Sequence, residues 1–395
     1  MHPPDADVVL VRHGDIGVKS EQVRRKMESR LANNLRTMLA DRGVDGDVEQ
    51  RRNRLFVHTE DPASVTAAAA DTVGVSSASP ALTVAPTLDD ICAALAAATH
   101  EHYDGGAFAV DARRAGPADA HPFSSTDIES DGGAAVWGAI DAMGGDPSVD
   151  LDDPDFRLFV ECRRDEAFVF LERREGPGGL PLGSQRPVVA LVSGGIDSPI
   201  AAWQLMRRGA PVVPVYVDLG AYGGADHRAR ALSTVETLAA YAPTTDLSTH
   251  VVDAGDVAAA LDDTMGAMRM LALRRFMLVA AEAVAEDVGA VGIVTGEAIG
   301  QKSSQTSANI AVTDAATSLP VHRPLLTLDK PEITQQARDL GTFRDSTIDA
   351  GCDRLAPSLP ATNSSLAAIR DAEPDDLFER ARTAAGERSV VPIER

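Results

Sequence analysis

The sequence predicts an α/β protein in which small α+β modules precede a domain built on a parallel β-sheet. From residue 187 onward, apolar strand-like segments alternate with helix-like segments, which is the pattern of a parallel sheet covered on both faces. A glycine- and proline-rich stretch, residues 174–187, separates this half from shorter alternating units before it. The length of 395 residues also exceeds that of one average domain.

The N-terminal part begins with a compact βαβ unit. DVVLVRH predicts a strand, and the next helix has one apolar face made of Val23, Met27, Leu31, Leu35, Met38 and Leu39. Gly43 supplies the helix stop, and RLFVHTE predicts a second strand. Up to residue 175 the sequence then predicts helices in PASVTAAAADTVG and TLDDICAALAAATHEHY, and strands in FAVDARRA, FRLFVECRR and AFVFLE. Such modules bury one sheet face under helices and leave an edge or a loop for binding.

The C-terminal part has longer units. Strands are expected at 187–192, 211–217 and 249–254 and within GAVGIVTGE. Helices are expected at 198–208, 226–241 and about 268–287 and within KPEITQQARDLG. Parallel sheets bind ligands beyond the carboxyl ends of their strands, so the loops that follow these strands are the place to look for a site.

The amino-acid composition indicates the environment in which the protein works. The formal net charge is −22, and the lysines are few: Lys19, Lys26, Lys302 and Lys330. This balance indicates adaptation to a very salty cytoplasm, with an ordinary acidic enzyme as the alternative. It argues weakly against nucleic-acid binding but leaves room for a local arginine cluster. No leader or membrane-spanning segment is evident, so a cytoplasmic protein is expected.

The segment SGGIDS, Ser193 to Ser198, follows a buried-type strand and opens a helix, where backbone N–H groups and the helix dipole favour a phosphate. Gly194 and Gly195 allow close backbone approach, and the serine hydroxyls can donate hydrogen bonds. Asp197 would repel polyphosphate unless Mg²⁺ bridges the two, which predicts metal-assisted binding. The lysine of a Walker loop is missing. The alternative is a tight glycine-rich turn without a ligand.

The loop resembles the PP-loop of N-type ATP pyrophosphatases, which cleave ATP between its α- and β-phosphates to adenylate a substrate. GPGGLPLG, SGGIDSPIAAWQLMRRG, LRRFMLVAAEAVAE, VTGEAIGQKSSQT and HRPLLTLDKPEI occur in the order found in tRNA 4-thiouridine synthetases, the ThiI family of tRNA sulfurtransferases. The resemblance extends from residue 8 to about residue 365. It implies a ferredoxin-like domain at 1–61, a tRNA-binding THUMP domain at 62–174 and a PP-loop catalytic domain at 175–395.

The resemblance also implies an ATP site. In addition to the loop, the family's nucleotide positions fall on Leu191, Val192, Tyr216, Val217, Arg274, Gly296 and Gln305. An apolar slot beside backbone amides suits an adenine ring, and a guanidinium at Arg274 can hold a phosphate. The alternative for Arg274 is an unremarkable surface charge on a helix.

Cys352, in DAGCDRLAPSLPAT, matches a family cysteine followed by spaced prolines, and the resemblance makes it the candidate for sulfur chemistry. A lone cysteine is otherwise more often a buried apolar residue. Cys92 and Cys162 fall in apolar helix and strand patterns and are expected in the core. Arg113 and Arg114, in the THUMP-like DARRAG, are candidate tRNA phosphate contacts, with solvated surface arginines as the alternative.

The family implies that ATP and Mg²⁺ adenylate the uridine at position 8 of tRNA, that a persulfide or sulfide then replaces the oxygen, and that the enzyme is a homodimer. Some members carry a C-terminal rhodanese domain that receives sulfur from a cysteine desulfurase, and none is expected here. Cys352 could accept the persulfide, could form a mixed disulfide with an outside thiol, or could be bypassed by free sulfide. A role in sulfur supply for the thiamine thiazole ring stays open.

Two other functions fit parts of the sequence. A PP-loop ligase or amidotransferase that adenylates a small molecule would explain SGGIDS but not the 180 residues before the linker. A catalytically inactive THUMP protein that only binds RNA would explain those residues but not an intact loop together with Cys352.

Overall fold

The computed structural model describes residues 1–17, 20–51, 54–117, 119–302, 304–346 and 354–393. The chain divides into two compact units, Met1–Pro181 and Leu182–Arg395. Each unit has its own sheet and its own buried cores. Among the helices in these ranges, none combines the length and the hydropathy needed to cross a bilayer.

The first unit is a mixed sheet with helices on one face. Its elements are β1 Val8–His13, α1 Glu21–Asp41, β2 Asp47–Arg51, β3 Arg54–His58, α2 Pro62–Ala70, β4 Val75–Val84, α3 Leu88–His102, β5 Ala107–Arg114, α4 Ser125–Ala142, β6 Ser148–Val149, β7 Phe156–Cys162, β8 Ala167–Phe170 and β9 Arg174–Glu175. The strand order is β2-β3-β1-β4-β8-β7-β5-β6, with β9 paired to β4. The strands β1 to β4 and β5 to β8 therefore form one continuous sheet.

The two faces of this sheet are packed differently because side chains alternate along each strand. Val9 and Val11 point to the core shared with α1 and α2, whereas Val8 and Leu10 point to a cluster of phenylalanines on the other face. Arginines cover that cluster. The guanidinium of Arg12, for example, lies 4.9 Å from the centre of the Phe170 ring. The sheet face opposite α1 and α2 is thus an aromatic layer under a layer of guanidinium groups.

Several elements of this unit differ from the sequence prediction. Val23 was expected on the buried face of α1 but is 41% exposed, because the first turns of the helix bury Glu28 beside His13 instead. The strand β4 and the helix α4 were not predicted. β4 contains Pro80, which pairs with Val9 of β1. The sequence did not predict this strand because proline lacks the N–H group that a central strand uses for pairing.

The second unit is the expected parallel α/β sheet. Its elements are β10 Val188–Val192, α5 Asp197–Arg207, β11 Val212–Asp218, α6 Ala225–Ala239, β12 Thr249–Asp253, α7 Gly255–Thr264, α8 Arg269–Val288, β13 Ile293–Val294, α9 Ser307–Asp314, β14 Val321–His322, α10 Lys330–Leu340, α11 Phe343–Ser346, α12 Leu366–Ala372, α13 Leu377–Gly386 and β15 Ser389–Val391. The order β14-β13-β10-β11-β12-β15 is parallel except for β15. All residues of β10 are buried, as in a sheet covered on both sides.

A buried ion pair ties the C-terminal helices of this unit to α8. The side chain of Arg275 is 1% exposed and bonds both carboxylate oxygens of Glu373, at 2.8 and 2.9 Å. Arg275 also donates to the backbone oxygen of Val312 at 2.8 Å. Burial of a guanidinium is tolerated only because these acceptors replace its water.

We expect Arg275→Met to lower the free energy of unfolding of this unit by about 3 kcal/mol, because it leaves the carboxylate of Glu373 partly buried without its partner. Urea titration followed by Trp203 fluorescence, in a Trp137→Phe background, measures the change in the full-length chain.

The matched control is Asp287→Asn, which removes an ion pair whose carboxylate side chain is 60% exposed. Exposed pairs contribute about 1 kcal/mol or less, so the control should shift the transition little. Equal shifts in the two variants would contradict a special role for the buried pair.

Candidate active site

A cleft of about 250 Å³ lies at the carboxyl ends of β10, β11 and β13. The structure brings most of the proposed nucleotide positions together on its wall: Leu191, Val192, Ser193, Gly195, Asp197, Ser198, Tyr216, Val217, Arg274, Gly296 and Gln305. Gly194 lies behind this wall. A Cβ atom there would meet the backbone oxygen of His227 at 3.0 Å, so α6 packs closely on the loop.

The loop between β10 and α5 is held by its own serines. The backbone N–H of Ser193 donates to Oγ of Ser198 at 2.8 Å, and the two hydroxyl oxygens lie 3.1 Å apart. The N–H of Gly195 donates to Oγ of Ser193 at 3.3 Å. The N-cap residue of α5, Ile196, has a side chain that cannot accept a hydrogen bond. The first N–H groups of α5 therefore need an external acceptor, which an anion supplies.

Gly296 fixes the distance between β13 and the start of α5. A Cβ atom at this position would lie 2.7 Å from the carbonyl carbon of Asp197 and 2.7 Å from the nitrogen of Ser198. No side chain fits in that space. The glycine lets the segment that follows β13 support the phosphate loop from the side.

The carboxylate of Asp197 meets a lysine that sequence analysis did not assign to the site. Nζ of Lys330, the first residue of α10, donates to Oδ1 of Asp197 at 2.6 Å, and both side chains are partly exposed. The loop lacks the lysine of a Walker loop in its own sequence, but Lys330, which lies 133 positions further along the chain, contacts it. The scarcity of lysine and its place in HRPLLTLDKPEI were the available signals.

Glu297 is the second residue that sequence analysis missed. Its carboxylate contacts Nη1 of Arg274, accepts from Nε of Arg323 at 2.7 Å and accepts from the Thr295 hydroxyl at 3.0 Å. Burial would raise the pKa of Glu297, but the two guanidinium groups outweigh it and hold the pKa below its usual value. Arg323 in turn bonds Asp314 of α9.

Arg274 is oriented by two acceptors. The first is Glu297, and the second is the side-chain amide of Gln305. When this amide is oriented so that both of its polar atoms have partners, its oxygen accepts from Nη2 of Arg274 at 3.1 Å and its nitrogen donates to the Ala298 oxygen at 2.8 Å. Nε of Arg274 is buried without a hydrogen-bond partner among the described residues. Arg274 is therefore a fixed cation in the cleft wall, not a solvated helix charge.

The rest of the wall is apolar. Leu191 and Val192 end β10, and Tyr216 and Val217 lie near the end of β11. Side chains of α8 complete this side of the cleft: Met270, Leu273, Met277 and Leu278. Such a slot, next to the N-terminus of α5, suits a flat aromatic ring joined to phosphates.

Three candidates from the sequence analysis remain: Cys352, Arg113 and Arg114. Cys352 falls outside the described residues. Arg113 and Arg114 end β5 in the first unit, where Arg113 is exposed and Nη1 of Arg114 donates to the backbone oxygen of Phe123. The cysteines expected in the core, Cys162 and Cys92, are buried and half-buried, and burial raises the pKa of both thiols.

Comparison with known proteins gives matches for each part of the chain. The family described as Thiamine biosynthesis protein (ThiI) matches residues 183–377, the ThiI ferredoxin-like domain matches residues 8–79, and the THUMP domain matches residues 85–172. A solved 4-thiouridine synthetase, determined as an RNA complex with bound ATP, has a TM-score of 0.85 and 28% identity, and the alignment covers 99% of this chain and 100% of that one.

Curated relatives extend the likeness over the full length. A probable tRNA sulfurtransferase of Halobacterium salinarum is 59% identical over 393 residues, which is 100% of this chain and 99% of the relative. A probable tRNA sulfurtransferase of Methanosarcina acetivorans is 39% identical over 359 residues, covering 90% of this chain and 86% of the relative. The chain therefore belongs to the ThiI family of tRNA sulfurtransferases.

Proposed function

We propose that this chain uses ATP to transfer sulfur to the uridine at position 8 of tRNA, forming 4-thiouridine. The observation that carries the proposal is one cleft that combines three features: a loop leading into a helix N-terminus that favours an anion, an apolar slot, and the fixed cation Arg274. The similar 4-thiouridine synthetase solved with RNA and ATP supports the same assignment.

In this proposal the nucleotide lies along the cleft. Adenine occupies the slot formed by Leu191, Val192, Tyr216 and Val217, and the phosphates lie on the loop at Ser193 to Ser198. Arg274 binds a phosphate with the N–H groups that Glu297 and Gln305 leave available. Gly296 holds the loop in place from the side.

Asp197 and Lys330 have different roles toward the triphosphate in this proposal. Lys330 neutralises the carboxylate of Asp197 in the structure, and its ammonium group can turn toward phosphate oxygens when nucleotide is present. Asp197 would hold Mg²⁺, which commonly binds one carboxylate together with substrate phosphates and would offset the charge of departing pyrophosphate.

The chemistry of the proposal has two steps. Attack of uracil O4 on the α-phosphorus releases pyrophosphate and makes the oxygen part of a good leaving group. A sulfur nucleophile then attacks C4, and the C–O bond breaks with loss of AMP. Cys352 would carry that sulfur as a persulfide, since a terminal persulfide sulfur is nucleophilic at neutral pH. This attack joins Cys352 to C4 through two sulfur atoms; an external thiol would then attack the Cys352 sulfur, break the S–S bond, release 4-thiouridine and form a mixed disulfide with Cys352. A second thiol would reduce that disulfide and restore the Cys352 thiol. The donor would be a cysteine desulfurase or another sulfur source.

The first unit would bind the tRNA. We assign residues 1–61 to the ferredoxin-like domain, residues 62–174 to the THUMP domain and residues 175–395 to the catalytic domain. Arg113 is the exposed candidate for a phosphate contact, whereas Arg114 is engaged with the backbone near Phe123. The proposal includes a homodimeric enzyme, as the family resemblance implies.

A second role concerns thiamine. The family model that matches residues 183–377 is described as a thiamine biosynthesis protein, so the chain is a candidate for sulfur supply to the thiazole ring. A deletion strain that still grows without added thiamine would exclude an essential role in that pathway.

Deletion of the gene should remove 4-thiouridine from cellular tRNA, because the proposal makes this chain the source of that nucleoside. The measurement is the near-ultraviolet absorption of purified tRNA, checked by nucleoside analysis. Complementation with the unaltered gene is the control, and undiminished 4-thiouridine in the deletion strain would refute the proposed function.

Asp197→Ala and Cys352→Ala should fail at different steps. The Asp197 variant should no longer release pyrophosphate in the presence of tRNA, because the metal-phosphate contact is lost. The Cys352 variant should still release pyrophosphate but insert no sulfur. A pyrophosphate assay with and without tRNA, run beside nucleoside analysis, separates the steps and also tests a ligase acting on a small molecule.

Gly296→Ala should reduce activity by about 100-fold, because the new methyl group must push the start of α5 away from its position. The control is Gly266→Ala, at a glycine where a Cβ would meet nothing within 4 Å. It should retain activity within about twofold. Similar activities for the two variants would show that the close approach of Gly296 does not position the loop.

A further inference from the structure

His227, in the first turn of α6, is a buried imidazole on the wall of the nucleotide cleft. The residue is 3% exposed. Its Nδ1 lies 3.1 Å from the hydroxyl oxygen of Tyr216, and its Nε2 is buried without a hydrogen-bond partner among the described residues. A buried polar atom of this kind is costly unless something supplies the missing bond.

The position of the ring limits what that partner can be. A Cβ atom on Gly194 would lie 3.2 Å from Cδ2 of His227, the ring carbon bonded to Nε2. The unpartnered nitrogen is therefore beside the phosphate loop. The nearby charged groups are Arg230 and Asp218, and burial lowers the pKa of His227, so the imidazole is neutral at neutral pH.

We propose that Nε2 of His227 is a phosphate ligand: it donates a hydrogen bond to a phosphate oxygen of the nucleotide held on the loop Ser193 to Ser198. The Tyr216 hydroxyl, a stronger proton donor than a neutral imidazole, donates to Nδ1 and so places the ring proton on Nε2. Tyr216 is thus a positioning residue for this contact. The inference rests on the proposed function, because it requires the cleft to bind ATP.

Phosphate is the partner that the surroundings favour. The loop beside Nε2 leads into α5, whose first N–H groups need an acceptor, whereas the adenine slot is formed by mainly apolar side chains at the ends of β10 and β11. A neutral N–H donor adds a directed bond to the phosphate without placing a second cation beside Arg230.

The test compares two substitutions of the same residue. His227→Phe keeps a flat ring against Gly194 but removes the donor, and His227→Gln keeps an amide N–H near the position of Nε2. Calorimetric titration with ATP should give about tenfold weaker binding or more for the Phe variant and a much smaller loss for the Gln variant. Adenosine has no phosphate, so its affinity, measured by competition with ATP, should be the same in both variants as in the unaltered protein.

The matched control is His250→Gln. His250 lies on β12, accepts from Nε of Arg388 at 2.8 Å and, like His227, has a pKa that burial lowers. Because it lies outside the cleft wall, its replacement should leave ATP affinity unchanged.

Nitrogen NMR of the unaltered protein gives a readout that does not depend on a variant folding. The Nε2 resonance of His227 should shift when ATP is added and stay in place with adenosine. An unmoved resonance, or equal losses of ATP and adenosine binding in the Phe variant, would overturn the inference. Failure of the unaltered protein to bind ATP would instead refute the proposed function.

Discussion

The buried carboxylate of Glu297 is the constraint around which the cleft is arranged. A carboxylate loses its water on burial and is stable only when cations and donors replace that water. Arg274 from α8, Arg323 after β14 and Thr295 beside it do so, and Arg323 extends the network to α9. The same short segment contains Gly296, which packs on the start of α5. One local arrangement therefore fixes both the cation and the phosphate loop.

The predictable part of the site is the part that is continuous in sequence. Ser193 to Ser198 follow one strand directly, so their backbone geometry can be inferred from the strand, the glycines and the helix. Lys330, Glu297 and His227 reach the cleft only because β14, β13 and β11 lie in a particular order beside β10. No local pattern encodes that order, and pairing over 133 positions has no short-range signal.

The fold shows a similar limit. The central parallel strands β10 and β11 of the second unit are mostly apolar, and the expected strands at 187–192 and 211–217 agree with them to within one residue at each end. The two-residue strand β14 was not predicted. The strand β4 was missed because its core is serine, alanine and a proline, which have little strand preference. Its place between β1 and β8 is set by its neighbours on both sides. Pairing with β1 and β8 therefore determines the conformation of β4, and the intrinsic strand preference of its residues does not.

The sheet of the second unit ends in very short strands, β14 with two residues and β15 with three. A long open edge would offer its amides and carbonyls to another chain and invite aggregation. An acidic surface repels other copies only across a distance that dissolved salt shortens. Short edges hinder strand addition at any ionic strength, so this unit can stay unaggregated even where its charge gives little protection.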